Sequence, residues 1–308
     1  MSEHWIHVRV PATTANLGPG FDALGLALDL WNEVWVRPAP TPQVRVCGEG
    51  EGLPLDANRT VQAVHYFYQR VLGQTPPPLD IVQYNRIPLG SGLGSSAAAA
   101  LSGLLAASAL SGHVLDTAAF LRLATDLEGH ADNAAAALWG GLTVVVAEGD
   151  DLHPYRFTPA TWQIAVVLPR VDLSTAAARA ALPRQIALEQ AVYNLGRAAL
   201  VVQALREGDL ALLRRAMQDR LHQPYRLPLI PGAAEALARA YDHGAAAALS
   251  GAGPSVIAFA HTDMAPIAAA MQEAFRSAGV DARTWLLTPS LNGAAWAWVE
   301  APDNPLTE

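Results

Sequence analysis

Residues 88–100 read PLGSGLGSSAAAA, and this stretch restricts the possible folds of the chain more than any other. Gly90, Gly92 and Gly94 fall at alternate positions, Ser95 and Ser96 follow, and small helix formers run on to about Leu110. Just upstream, LDIVQYNRIP (79–88) has the composition of a strand and ends at a proline. A strand that becomes a helix over so few residues needs backbone freedom that glycine supplies. The first N–H groups of the new helix lack internal partners, and its dipole is positive at that end. The junction is therefore suited to an anion, above all a phosphate, held on main-chain donors. The competing reading is a glycine-rich turn with no ligand; the G-x-G-x-G-S-S spacing at a strand-to-helix junction favours the anion site.

Two familiar phosphate loops are excluded. The Walker pattern requires a lysine after its glycines, and this chain contains no lysine, all 20 of its basic residues being arginine. The dinucleotide pattern G-x-G-x-x-G is not met by GSGLGSS. A triphosphate on this loop would bring Mg²⁺, which takes hard oxygen ligands. Ser96 offers a hydroxyl beside the phosphates. Glu128 ends a helical stretch just before a glycine, in LEGHADN, where the dipole disfavours an acid. It is either a solvated acid or, given the loop, a metal ligand.

The rest of the chain mixes strands and helices. Ile6, Val8 and Val10 alternate as in a strand, and residues 24–37 read as a second. Helical spacing covers 56–73, 116–129 and 131–139, and LTVVVA (142–147) is a strand. The acidic, Pro-containing segment 148–159 is the best boundary candidate, giving domains at 1–155 and 156–308. Beyond it come a strand (WQIAVVLP), a helical region over 184–221 broken near Gly208, two strands flanking GAGP, a helix at 263–278 and strands near 284–288 and 294–299. Without strict βαβ alternation, the order favours an α+β fold over a doubly wound parallel sheet.

Composition narrows the function. A net charge of −8 without basic clusters argues against nucleic-acid binding and against anionic membranes. The single cysteine, Cys47, forms no intrachain disulfide, and no Cys/His cluster marks a zinc site. The start MSEHWIHVRV is not a signal peptide, and no segment is uniformly apolar enough to span a bilayer, so a cytoplasmic protein is expected.

Three stretches together, PATTANLGPGFDALGLAL (11–28), PLGSGLGSSAA (88–98) and SGAGPS (250–255), resemble the motifs of the GHMP kinases. Within that family the first stretch, with EGHADN (128–133), STAAARAALP (174–183) and DRLHQPYR (219–226), is similar to the homoserine kinase branch. The resemblance implies a two-domain α+β GHMP fold, with a ribosomal-protein-S5-domain-2-like amino-terminal domain and a ferredoxin-like carboxy-terminal one. It implies ATP and L-homoserine as substrates and Mg²⁺ as cofactor, and by analogy a homodimer. ATP would lie on Pro88, Leu89, Gly90, Ser91, Gly92, Leu93, Gly94, Ser95, Ser96, Ala97 and Ala98, with Asn58 near the adenine and Gly251, Ala252 and Gly253 closing the site. Ser96 and Glu128 would hold the metal. Asn16, Asp22, Asn133 and Thr175 form the implied catalytic set, and Asn16, Asp22, His130, Asn133, Arg179 and Arg226 the substrate contacts.

The chemistry of such a substrate agrees: a carboxylate calls for arginine, and an ammonium for an acid such as Asp22. Several members of the family pair an Asp base with a lysine. None is available here, so the resemblance implies direct attack of the substrate hydroxyl on the γ-phosphate. The alternatives are a GHMP kinase for another small molecule and a non-catalytic sensor of the same fold.

Overall fold

The computed structural model describes residues 4–300. The alternating amino terminus forms β1 (Trp5–Ala15), which pairs antiparallel with β2 (Leu24–Pro38). β3 (Gln43–Gly48) runs parallel to β4 (Leu79–Asn85), and β4 pairs with the far half of β2. The near half of β2 pairs with β5 (Leu142–Glu148), which in turn pairs with β6 (Asp151–Phe157). The helices of this half are α1 (Arg59–Phe67), α2 (Ser95–Ser111), α3 (Thr117–Glu128) and α4 (Asp132–Trp139). The alanine-rich α2 runs through their middle and is buried on nearly every side. Its small side chains let α1 and β1 approach closely while the whole helix leaves water.

The second sheet has strand order β10-β7-β9-β8, all antiparallel: β7 (Gln163–Pro169), β8 (Ala246–Leu249), β9 (Val256–Ala260) and β10 (Ala282–Leu287). Between β7 and β8 lie α5 (Thr175–Ala180), α6 (Leu188–Glu207), α7 (Leu210–Ala216), α8 (Gln223–Arg226) and α9 (Ala233–Asp242); α10 (Ala265–Ser277) follows β9. β7 reads as an unbroken apolar run because both of its faces are covered. Ile164 and Val166 join the core that includes Val201 and Leu205 of α6, while Ala165 and Val167 face α9 and α10.

Several elements depart from the sequence reading. Residues 151–157 form β6 rather than a linker, with Pro154 opposite Val145. The helix expected over 56–73 is a 3₁₀ turn (Leu55–Ala57), then α1, then a π-helical turn (Tyr68–Leu72). The last described strand, β11 (Ala295–Val299), returns to pair with β1. A division at 155/156 therefore stands as a proposal that the chain itself crosses twice.

Candidate active site

β4 delivers the chain to Pro88 and α2 takes it away at Ser95, so the glycine loop lies between the two sheets. Gly90, Gly92 and Gly94 all adopt left-handed backbone (φ 60, 76 and 69°). A Cβ on Gly92 would stand 2.1 Å from the Ser250 carbonyl oxygen, and one on Gly94 would stand 2.0 Å from Thr13 Oγ1. These two positions must be glycine for the loop to touch both flanking motifs. Ser91 Oγ donates to the Pro88 carbonyl (2.7 Å) and accepts from the Leu93 N–H (3.2 Å), bracing the turn from inside. No side chain caps α2. Its first-turn residues Ser95, Ser96 and Ala97 line the cleft, where their main-chain donors are suited to an anion.

The first and third motifs close on this loop. Asn16 Nδ2 donates to the Gly251 carbonyl (2.7 Å) and Asn16 Oδ1 accepts from the Asp22 N–H (2.9 Å). The Gly251 N–H donates to the Ala15 carbonyl (3.1 Å), and Ser250 Oγ lies 2.7 Å from the Gly92 carbonyl oxygen. Asn16, Leu17 and Asp22 hold left-handed backbone without being glycine (φ 66, 49 and 56°). Such conformations cost about 1–3 kcal/mol each and concentrate at functional sites.

Ser96 Oγ donates to Glu128 Oε1 (2.8 Å), so α2 and the end of α3 bring together two hard oxygen donors at the cleft. Arg59 Nε and NH2 donate to the same Oε1 (3.1 and 2.8 Å), and the guanidinium also donates to the Leu127 carbonyl. Among the described residues every hydrogen bond to this carboxylate falls on Oε1, leaving Oε2 for another cation. The donor set fits Mg²⁺, which takes one or two protein oxygens and completes its octahedron with phosphates and water.

The same cleft is lined by a polar cluster. His130 Nδ1 sits 2.8 Å from Asp132 Oδ1, and that oxygen accepts the Asn133 N–H (2.7 Å). The hydrogen bond to Asp132 raises the His130 pKa against the opposing effect of burial. Asn133 Oδ1 accepts from Thr13 Oγ1 (2.8 Å). Arg179 and Asp22 form a two-pronged pair, both contacts 2.9 Å, so the cation expected at a substrate carboxylate and the acid expected at its ammonium meet each other. Thr175, on the first turn of α5, completes this side of the cleft. Arg226 is 2% exposed, and burial lowers its pKa. It donates to the Ala178 and Gly251 carbonyls (both 3.3 Å) and to His222 Nδ1 (3.1 Å). Among the described residues no carboxylate lies within 4.0 Å of it.

The cleft thus gathers Asn16, Asp22, Gly90–Gly92, Gly94–Ala97, Glu128, His130, Asn133, Thr175, Arg179, Arg226 and Gly251–Gly253, with Leu93 and Ala98 buried beneath the loop. Asn58 is not brought there: it caps α1 through the Val61 N–H (3.2 Å) and pairs with Gln83 (2.8 Å). Pro88 serves as an internal acceptor, and Leu89 faces a neighbouring cavity. Sequence reasoning passed over Thr13, Arg59 and Asp132, although Thr13 and Asp132 lie inside quoted motifs.

Two family models match: the GHMP kinases N terminal domain over residues 58–141 and the GHMP kinases C terminal over 201–277. The chain belongs to the GHMP kinases. Within that family it is 44% identical to the homoserine kinase of Moorella thermoacetica over 291 residues, covering 93% of this chain and 98% of that protein. It is 46% identical to that of Streptomyces coelicolor over 267 residues, covering 84% and 86%. The crystal structure of homoserine kinase from Cytophaga hutchinsonii superposes with a TM-score of 0.83 at 34% identity, covering 96% of this chain and 98% of that one. A phosphomevalonate kinase from Streptococcus pneumoniae, at 15% identity and a TM-score of 0.67 over 92% and 99%, shares the fold alone. These full-length relatives put the chain in the homoserine kinase branch.

Proposed function

We propose that this chain transfers the γ-phosphoryl group of ATP to the side-chain hydroxyl of L-homoserine, giving O-phospho-L-homoserine, a step of threonine biosynthesis. Arg226 carries the reading: a buried cation that faces the cleft with only neutral hydrogen-bond partners calls for an anionic group on the substrate. Asp22, which lines the same cleft, suits an ammonium, and the two charges together select an α-amino acid rather than a sugar. The carboxylate would rest on Arg226 and Arg179, the ammonium on Asp22 and Asn16, and the hydroxyl beside Asn133, Thr175 and His130.

The ATP phosphates would be cradled by the loop amides of Gly90–Gly94 and the uncapped start of α2. Ser96 and Glu128 would hold Mg²⁺, which when bound neutralises phosphate charge. No lysine stands near the acceptor, and Asp132 is engaged by His130 and Asn133. The chain's contribution is therefore alignment and charge stabilisation, with direct attack by the substrate hydroxyl, which a loose transition state permits. The same proposal includes a homodimer in the cytoplasm; among the described residues no helix is long and apolar enough to cross a membrane.

The test measures ADP release with homoserine, mevalonate or galactose as acceptor. Turnover with homoserine alone is expected. Comparable turnover with mevalonate or galactose would refute the assignment of the two charges.

A further inference from the structure

His222 is wholly buried and lies outside the transfer described above. Its ring joins two functional segments. Nε2 is 2.8 Å from the Gly18 carbonyl oxygen, in the first motif, and Nδ1 is 3.1 Å from Arg226 NH1. A carbonyl only accepts and a guanidinium only donates. Asp219 Oδ2, an acceptor, also lies 3.5 Å from Nε2. One ring state satisfies all three neighbours: neutral imidazole with its proton on Nε2. Burial lowers the proton affinity of the ring, the direction this state requires.

The backbone behind the ring is fixed by Asp219, whose side chain is fully buried. Its carboxylate accepts from the N–H groups of Leu221 (2.8 Å), His222 (3.0 Å) and Gln223 (2.6 Å), and from Asn194 Nδ2 (2.6 Å). This acid thus seats the turn that carries His222. The hydrogen-bond partners of Arg226 are two carbonyls and this imidazole, and the Phe21 ring lies 5.3 Å from its guanidinium carbon, all uncharged. A carboxylate in the place of His222 would orient the guanidinium equally well but would also neutralise it.

We propose that His222 is a positioning residue for the substrate's carboxylate: as a neutral acceptor it orients Arg226 from behind and leaves that cation's charge to the incoming anion. The inference rests on the reading that Arg226 receives the carboxylate. His222 touches no reacting atom; its effect on the carboxylate passes through Arg226, while Nε2 holds the first motif at Gly18.

Two substitutions separate the halves of the ring. In His222→Asn the amide oxygen takes the place of Nδ1 and still accepts from Arg226. In His222→Gln the amide nitrogen reaches the Nε2 position and donates to Gly18, with no acceptor left for Arg226. The Gln variant is expected to raise KM for homoserine roughly tenfold or more, as loss of one hydrogen bond to a charged group implies, with KM for ATP unchanged and the Asn variant close to the parent. With homoserinol, which bears an alcohol in place of the carboxylate, the Gln variant should show no such rise. Equal effects of both variants, or an equal rise with homoserinol, would reduce His222 to general packing and overturn the inference. A rise with Arg226→Leu but none with His222→Gln would overturn the inference alone; no rise with Arg226→Leu would overturn the reading beneath it. The unsubstituted protein gives an independent readout that does not depend on variants folding. The ¹⁵N shifts of the His222 ring at neutral pH should report the neutral Nε2–H tautomer, and an Nδ1–H tautomer or imidazolium would contradict the proposal.

Discussion

Gly92→Ala separates the loop's close packing from its backbone geometry. The new methyl would stand 2.1 Å from the Ser250 carbonyl oxygen and 2.9 Å from that of Gly253. The third motif must then retreat by about an ångström to reach ordinary contact. Left-handed backbone costs an L-residue about 1–2 kcal/mol, and the Ser250–Gly92 hydrogen bond contributes about 1 kcal/mol. With the overlap added, the loss is about 3–5 kcal/mol. Gly90→Ala is the matched control: its φ is also positive (60°), yet its methyl would meet nothing within 4 Å, so only the backbone part, about 1–2 kcal/mol, applies. At about 2 °C per kcal/mol for a chain of this size, Gly92→Ala should melt at least about 4 °C below Gly90→Ala. Because phosphates and acceptor must be aligned to better than about 1 Å, Gly92→Ala should also lose about a hundredfold in kcat/KM for ATP. Thermal unfolding and steady-state kinetics on the two proteins check this. Equal melting temperatures would refute the claim that the loop is pinned against the third motif.

Other outcomes follow from the same geometry. Glu128→Gln should cut kcat by about a hundredfold or more while circular dichroism stays unchanged; full Mg²⁺-dependent turnover would remove Glu128 from the metal site. Asp22→Asn removes the partner proposed for the ammonium, so KM for homoserine should rise about tenfold with KM for ATP unchanged, and equal rises would contradict that role. The raised pKa of His130, due first to its hydrogen bond with Asp132, makes the protonated ring the better-bound form. Its contribution to stability is complete below the ordinary value of 6.5 and fades as pH rises through the folded value. Denaturant melts of the parent and His130→Gln should therefore differ more at about pH 5.5 than at about pH 9. A gap that grows with pH would contradict the pairing.

Much of the cleft could be read from the sequence because three of its segments are local and carry glycine. The 88–98 loop, the 250–255 turn and the first motif each need backbone conformations that few residues adopt, and composition alone betrays that need. Side chains that act across long separations could not be read in this way. Arg59 meets Glu128 across 69 positions, and Arg179 meets Asp22 across 157. Asn58 is placed near the adenine only by the resemblance; in the structure its side chain caps α1, a role that Asn also favours. His222 lay in a quoted motif, but nothing in sequence distinguishes a wholly buried histidine from an exposed one. Among the elements, β6 was hidden by its acids and its proline; its exposed face needs no apolar residues, and β5 supplies its pairing. β3 was missed for a similar reason, being a half-exposed edge strand. The return of β11 to β1 spans nearly the whole chain and leaves no local signal.

The central claim is that main-chain amides at the head of α2 grip the nucleotide's phosphates in place of a lysine ammonium. The most direct measurement is the ¹H–¹⁵N spectrum of the amides from Gly90 to Ala97 during titration with a non-hydrolysable ATP analogue and Mg²⁺. Saturable downfield shifts of the Ser95, Ser96 and Ala97 amides, with slowed exchange, are the expected result. Saturation elsewhere in the protein while these amides stay unchanged would contradict the account.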